Sequence, residues 1–350
     1  MIEIDGSQGE GGGQIIRTAL ALSTLTQKPF EVTHIRENRP QPGLKAQHLT
    51  AINALKQICN AQTSPAEIGS TALRYLPQHV KSGTYIIDIG TAGSITLLLQ
   101  ALIPPLLIAP RKATLTMAGG TCGKWQAPIE YLELVLLPLI QRFANITCQT
   151  KKRGYYPKGQ GLVTMMVSPK VHSLGELRKS QYNLSEQGTL VSVKGISHAS
   201  SDLSQKKVAE RQAAAAQLVL KKYKVPIDIQ ITYNSTPSTG SGITLAARFH
   251  RSDEFHTILG ADELGEKVVS AEVVGTKAAQ KLMAEIESGA AVDMYAADQL
   301  LPFLALSGGT IKTSQITEHA KTNMNIIERF LPVTFSVKEK MISCVQSTSL

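Results

Sequence analysis

The chain has 350 residues, enough for about two domains and for a core that needs no disulfide or metal staples. Hydrophobic residues make up 43% and charged residues 18%, which excludes a disordered chain, and the longest apolar stretch, residues 97–109, is interrupted by Pro104 and Pro105 and too short to cross a bilayer. The formal net charge of +9 suits an anionic partner, nucleic acid being the commonest, or a merely basic enzyme, whereas 5% aromatic residues argue against a long single-strand stacking platform and for a local phosphate-reading site.

In chain order, residues 2–4 read as a strand, with Glu3 and Asp5 where a secretory signal would be basic and then apolar. A glycine-rich turn, 6–13, leads into an amphipathic helix over 14–22. Residues 29–35 read as a strand, and 46–59 as a helix with Leu49, Ile52, Leu55 and Ile58 on one face. Strands follow near 72–76 and 85–89. This order of strand, helix, strand, helix, strand, strand recurs: 85–89 leads through Gly90-Thr91-Ala92-Gly93-Ser94 into a helix over 95–107, a strand at 113–117, a helix over 128–143 and strands at 146–151 and 162–167. A third copy is expected to open at 266–274, with helices over 271–288, 297–306 and 323–330 and strands at 309–313, 333–337 and 341–346.

Between the second and third copies the pattern changes. Residues 168–188 are polar and turn-rich, as linkers are. A strand at 189–193 precedes the strongest helix signal, 203–223, which Pro226 ends, and strands at 227–233 and 242–249 follow. The expectation is an α+β protein: a large domain of three repeated βαβαββ units, residues 1–182 and 278–350, with a small α+β domain, 183–277, inserted into it. The four cysteines, Cys59, Cys122, Cys148 and Cys344, are far apart and off metal spacing, so reduced thiols in a cytoplasm are expected.

Residues 6–13 hold five glycines in eight positions between a strand and a helix. Such a loop turns backbone N–H groups toward an anion at a helix N-terminus, yet neither a Walker A string nor a dinucleotide fingerprint is present. Glu10, inside the loop, repels phosphate unless a divalent cation bridges the two; the other reading is a plain turn with a solvated carboxylate. Arg36 and Arg39, with Lys45, lie in a loop stiffened by Pro40, Pro42 and Gly43, one helix after Arg17. Arginine forks there match phosphate oxygens, and a solvated basic loop is the alternative. The second glycine-rich loop, 153–161, is either structural or ligand-facing. Asp298 and Gln299 sit at a helix start, and His319 follows 21 residues later ahead of another helix. A neutral imidazole is a competent nucleophile toward phosphorus; His34, His48, His79, His172, His198, His250 and His256 are further candidates. A lysine adduct of the KxDG type is not available, because Glu3 stands where that lysine would in Glu3-Ile4-Asp5-Gly6. The basic residues of the inserted helix, Lys206, Lys207, Arg211, Lys221 and Lys222, read as a solvated face or an RNA contact.

Together these strings resemble the RNA 3'-terminal phosphate cyclase family. The matching residues are 5–14 with Arg17; Arg36 and Arg39 with Pro42-Gly43-Leu44; Gly90-Thr91-Ala92-Gly93-Ser94 with Gln100; Arg153-Gly154-Tyr155-Tyr156-Pro157; Val269-Ser270-Ala271-Glu272-Val273-Val274; and Ala297-Asp298-Gln299-Leu300 with His319 and Thr322-Asn323. The resemblance runs from Met1 to about residue 335. It implies an ATP-dependent reaction in which His319 attacks the α-phosphorus of ATP to form a histidyl-AMP. The adenylate then passes to an RNA 3'-phosphate, and the neighbouring 2'-hydroxyl closes on the activated phosphorus, giving a 2',3'-cyclic phosphate and AMP. It also implies Glu10 as ligand of Mg2+ or Mn2+, Gln100 on the nucleotide, Tyr295 stacked on adenine with Pro128 nearby, Asp298 and Gln299 beside the phosphates, and Arg17, Arg36 and Arg39 on RNA phosphate. The implied partners are ATP and RNA with a 3'-phosphate end, without a membrane. Two positions depart from the family pattern. Gln160 interrupts the family's triple glycine, and the residues at 314–318 differ, with Glu318 beside His319. The main alternative is a catalytically inactive cyclase-like RNA or ribosome-assembly factor, although such relatives lack the histidine. Enolpyruvyl transferases share the repeat-built architecture but need neither ATP nor a nucleophilic histidine, and a generic RNA-binding module leaves Asp298-Gln299 unexplained.

Overall fold

A computed structural model describes residues 1–9, 12–171, 173–177, 181–251 and 257–346. The first repeat is β1 (Ile2–Asp5), α1 (Gly13–Thr26), β2 (Phe30–Thr33), α2 (Ala46–Cys59), β3 (Gln62–Thr63) and β4 (Leu73–Leu76). Its sheet runs β1-β2-β4-β3, with β1 and β2 parallel and β4 antiparallel to both neighbours. The second repeat is β5 (Gly83–Asp88), α3 (Ile95–Leu106), β6 (Ala113–Gly119), α4 (Ile129–Tyr131), a π-helical stretch (Leu132–Leu136), α5 (Leu137–Ile140), β7 (Ala144–Lys152) and β8 (Gly161–Pro169). Its order, β5-β6-β8-β7, repeats the first plan strand for strand. In both repeats the parallel pair is joined by a helix crossover and the last two strands by a direct return, as the alternating pattern requires.

The third repeat is split. After α6 (Leu174–Leu177), its first strand, β9 (Tyr182–Leu184), precedes the insertion. The insertion comprises β10 (Thr189–Ser200), α7 (Val208–Leu220), β11 (Ile227–Asn234), β12 (Ser241–His250), β13 (Thr257–Leu264) and α8 (Ala271–Glu287), in a sheet ordered β11-β10-β12-β13. The repeat then resumes with α9 (Met294–Ser307), β14 (Gly309–Lys312), α10 (Glu318–Phe330), β15 (Val333–Lys338) and β16 (Met341–Gln346). The sheet β9-β14-β16-β15 has the same parallel and antiparallel sense as the other two.

This corrects the expected opening of the third copy at 266–274. The helix there, α8, belongs to the insertion: its Val274, Ala278, Ala279, Leu282 and Ile286 are buried with Ala213, Ala216, Leu220 and Leu245 in a core separate from that of the repeats. The expected boundary between 277 and 278 falls inside this helix. Helix α1 also differs from its amphipathic reading. Every residue from Gln14 to Leu25 is buried, because the helix packs against α2, α3 and α10 at once. Polar side chains on such a helix must find partners within the protein. Among the described residues no helix is long and apolar enough to cross a membrane.

Candidate active site

Those partners come from all three repeats. Arg17 Nε donates to Gln100 Oε1 on α3 at 3.0 Å, and its Nη2 donates to Gln14 Oε1 at 2.9 Å. Thr18 Oγ1 donates to Asn323 Oδ1 on α10 at 2.7 Å. Asn323 Nδ2 in turn donates to the Asp298 carbonyl at 2.9 Å and to Asp298 Oδ1 at 3.1 Å, on α9. Gln14, Thr18, Gln100, Asp298, Gln299 and Asn323 form the polar side of a cleft whose apolar side is Leu99, Leu132, Leu136, Pro302 and Phe303, around about 470 Å3 of empty space partly open to solvent. Burial pulls the Arg17 guanidinium down to about 10, with the Asp298 charge pulling it back up, so Arg17 stays a cation at neutral pH.

His319 lies in the first turn of α10, half-buried, one turn before Asn323. Thr317 caps this helix, its Oγ1 accepting from the Ala320 N–H at 3.0 Å. The Glu318 carboxylate pairs with Lys321 at 2.7 Å. His319 is not part of the cleft lining; the glycine-rich loop connects it to the rest. Gly9, at φ +58°, rests on Thr322, and any Cβ at position 9 would stand 2.2 Å from Thr322 Oγ1.

The arginine loop docks on the same glycine loop. Asn38 Nδ2 donates to the Ser7 carbonyl at 3.1 Å, and Arg39 Nη2 lies 3.1 Å from where a Cβ on Gly12 would be, over the N-terminus of α1. Arg36 is turned inward: its Nη1 donates to the carbonyls of Gln41 at 2.8 Å and Gly43 at 3.1 Å, so part of its fork holds its own loop. The structure adds His48, which the sequence did not single out from the other histidines. It is buried, its Nδ1 accepts the Lys45 N–H at 3.0 Å, and its Nε2 has no hydrogen-bond partner among the described residues. That edge lies 2.3 Å from where a Cβ on Gly13 would stand, which requires glycine there. Burial, then Arg17, Arg36 and Lys45, push its pKa down to about 3 and keep it neutral.

Pro128 and Tyr295 stand at the starts of two helices that a buried hydrogen bond links. Pro128 starts α4, and Thr96, a cleft residue, donates to the Ala127 carbonyl at 2.7 Å. One turn after Pro128, Tyr131 donates to Asp293 Oδ1 at 2.5 Å, and Asp293 caps α9 by accepting from the N–H groups of Tyr295 and Ala296. Tyr295 is 51% exposed, and Gln299 Nε2 donates to its carbonyl at 3.2 Å.

The loop at 153–161 proves to be a clasp on the inserted domain. Arg153 Nη2 pairs with Glu130 Oε1 at 2.5 Å, Tyr155 Oη bonds His198 Nδ1 on β10 at 2.7 Å, and the Lys158 N–H donates to Ser238 Oγ at 3.1 Å. The Gln160 departure is accommodated for a local reason. Gly159 and Gly161 press on the backbone of Ala92 and Gly119, whereas Gln160, at φ +61°, points outward. Its left-handed backbone costs about 1 kcal/mol.

Glu10, His172 and His256 lie outside the described residues. Among those described, no group of three or more His, Cys, Asp or Glu side chains gathers to hold a metal ion.

Fold and cleft define a three-repeat α+β protein whose repeats jointly line a cleft, with Arg17 bonded to its Gln14 and Gln100 and His319 one helical turn before its Asn323. The sequence model of the RNA 3'-terminal phosphate cyclases matches residues 8–337. The chain is 43% identical over 340 residues to the protein of that name from Pyrococcus furiosus, covering 97% of this chain and 95% of that one. It is 42% identical over 355 residues to the one from Methanosarcina mazei (97% of each chain) and 43% identical over 343 residues to the one from Saccharolobus solfataricus (97% of each chain). The chain belongs to the RNA 3'-terminal phosphate cyclase family.

Proposed function

We propose that the chain converts an RNA 3'-phosphate end into a 2',3'-cyclic phosphate at the expense of ATP, through a covalent adenylate on His319. A neutral ring nitrogen of His319 attacks the α-phosphorus of ATP, the bond to the β-phosphate oxygen breaks, and pyrophosphate leaves. An oxygen of the RNA 3'-phosphate then displaces the imidazole, giving RNA-(3')pp(5')A. The 2'-hydroxyl attacks the RNA-side phosphorus, loses its proton and expels AMP. This last step is intramolecular, so proximity supplies much of its rate. The observation that carries the reading is the seating of Gly9 on Thr322 while Asn323 holds Asp298, which gathers glycine loop, His319 helix and Asp298-Gln299 around one cleft.

The chain's own groups have separate tasks in this reading. The N-terminal end of α10 presents positive potential to phosphate beside His319. Arg17 remains charged and ties Gln100 to Gln14 behind the cleft wall. Arg39, over the N-terminus of α1, holds the RNA phosphate, and Arg36 shapes the loop that carries it. Adenine sits between Pro128 and Tyr295, whose helices the Tyr131–Asp293 bond joins. Mg2+ or Mn2+ would supply charge neutralisation on the phosphates. We place the reaction in the cytoplasm, where ATP and RNA are available.

The test is incubation with α-labelled ATP and magnesium followed by denaturing electrophoresis. A label that survives alkali, is lost in acid and is absent from His319→Ala supports the reading. A folded protein that never takes up label overturns it and favours the inactive cyclase-like RNA or ribosome-assembly factor.

A further inference from the structure

The single tryptophan of the chain, Trp125, is 95% exposed and holds a left-handed backbone, φ +59°. For a bulky side chain this conformation is unfavourable. Burial offers no compensation here. A second aromatic ring stands out close by: Tyr156, 76% exposed, next to a tyrosine that is fully buried. The two loops run side by side. The Thr121 N–H donates to the Gly154 carbonyl at 3.0 Å, and Cys122 pairs with Tyr155 as a parallel bridge. Trp125 and Tyr156 therefore project from neighbouring loops in a chain otherwise poor in exposed aromatic rings.

Both loops border the candidate active site. Two residues after Trp125, the Ala127 carbonyl accepts from Thr96 in the cleft wall. Three residues after Tyr156, Gly159 presses on the Ala92 backbone, just before Ser94 caps α3, the helix that carries Gln100. Exposed Lys158 and Lys124, the latter paired with Glu266 at 2.8 Å, flank the rings with positive charge.

We propose that Trp125 and Tyr156 form a stacking platform for the bases that precede the terminal nucleotide of the RNA. Unpaired bases stack on aromatic faces with little regard to sequence, while nearby lysines attract the backbone. Such a platform grips the strand close to its end and leaves the terminal phosphate to reach the cleft. The proposal rests on the RNA reading above and adds to it where the strand lies, with the consequence that an oligonucleotide should bind more tightly than a mononucleotide.

Because Trp125 is the only tryptophan, its fluorescence reports the platform directly. An RNA oligonucleotide ending in a 3'-phosphate should quench it, the same strand with abasic positions before its last nucleotide should quench far less, and ATP alone should not. Trp125→Ala and Tyr156→Ala should each weaken binding of the intact oligonucleotide roughly tenfold, leaving self-labelling by ATP and use of a nucleoside 3'-phosphate unchanged. Quenching by ATP without RNA, or a self-labelling defect in Trp125→Ala, would assign the ring to adenine and overturn the proposal. Equal quenching by intact and abasic strands would also overturn it. A protein that forms no adenylate but still shows base-dependent quenching would keep the platform and lose the catalytic reading, so the two failures are distinguishable.

Discussion

Replacing Gly9 by alanine tests the contact that joins the glycine loop to the His319 helix. At φ +58° an alanine costs about 1–2 kcal/mol by backbone conformation alone. Its Cβ would also stand 2.2 Å from Thr322 Oγ1, where ordinary contact starts near 3.4 Å, so loop and helix must part by about 1 Å or Thr322 must rotate. Rotation breaks the bond from Thr322 Oγ1 to the Glu318 carbonyl at 2.9 Å, worth about 1 kcal/mol. Thr322 is three residues beyond His319, and a displacement of about 1 Å near a reacting group lowers rate by about 100-fold. Gly9→Ala should therefore lower urea stability by about 2–3 kcal/mol and slow self-labelling with α-labelled ATP by about 100-fold. Thr322→Ala removes the offending oxygen, the nearest remaining atom being Cβ at 3.3 Å, so the double variant should regain most of the rate but not the backbone cost. Wild-type labelling by Gly9→Ala, or a double variant no faster than the single one, would refute the proposed contact.

Two further outcomes follow from the buried polar groups. Burial, then Arg153, hold His198 down at about 3 against the pull of Glu130, whereas in the unfolded chain it titrates near 6.5. The unfolded state therefore takes up a proton first as pH falls, and the stability that His198 contributes above pH 7 is lost progressively below it. Between pH 8 and pH 5 the wild type should lose about 2 kcal/mol relative to His198→Asn in urea titrations, and parallel profiles would show that the ring is not held neutral. Arg17→Met leaves Gln14 Oε1 and Gln100 Oε1 without their donor and removes the cation near Asp298. It should cost about 2–3 kcal/mol and raise the KM for ATP, whereas unchanged stability would mean that the bonds across the repeats contribute nothing.

Most of the repeat plan was legible because β1, β2, β4 to β8 and their helices carry regular apolar spacing, a local property of the chain, whereas β3, two residues paired with β4, closes the first repeat in place of the expected strand at 85–89. The family was legible for a related reason: residue types such as those of the glycine loop and around His319 are unusual where they stand, and the order of such strings along one chain carries the resemblance. Strand β9 was not legible. Three residues, Tyr-Asn-Leu, within a polar stretch have no period, and only pairing with β14 makes them a strand. The same gap misplaced α8, whose buried face fits either core until the tertiary structure sets it against α7 and β13. Nor could the sequence separate the halves of the loop at 153–161, where Arg153 is buried on Glu130, Tyr155 is buried on His198 of the insertion, and Tyr156 faces solvent. The chain by itself determined which segments form helices and strands and which residues are chemically exceptional. The tertiary structure alone decided which exceptional residues come together, because Arg17 bonds Gln100 and Asn323 bonds Asp298 across separate repeats, and a buried polar group left without its partner costs more than local propensity can offset.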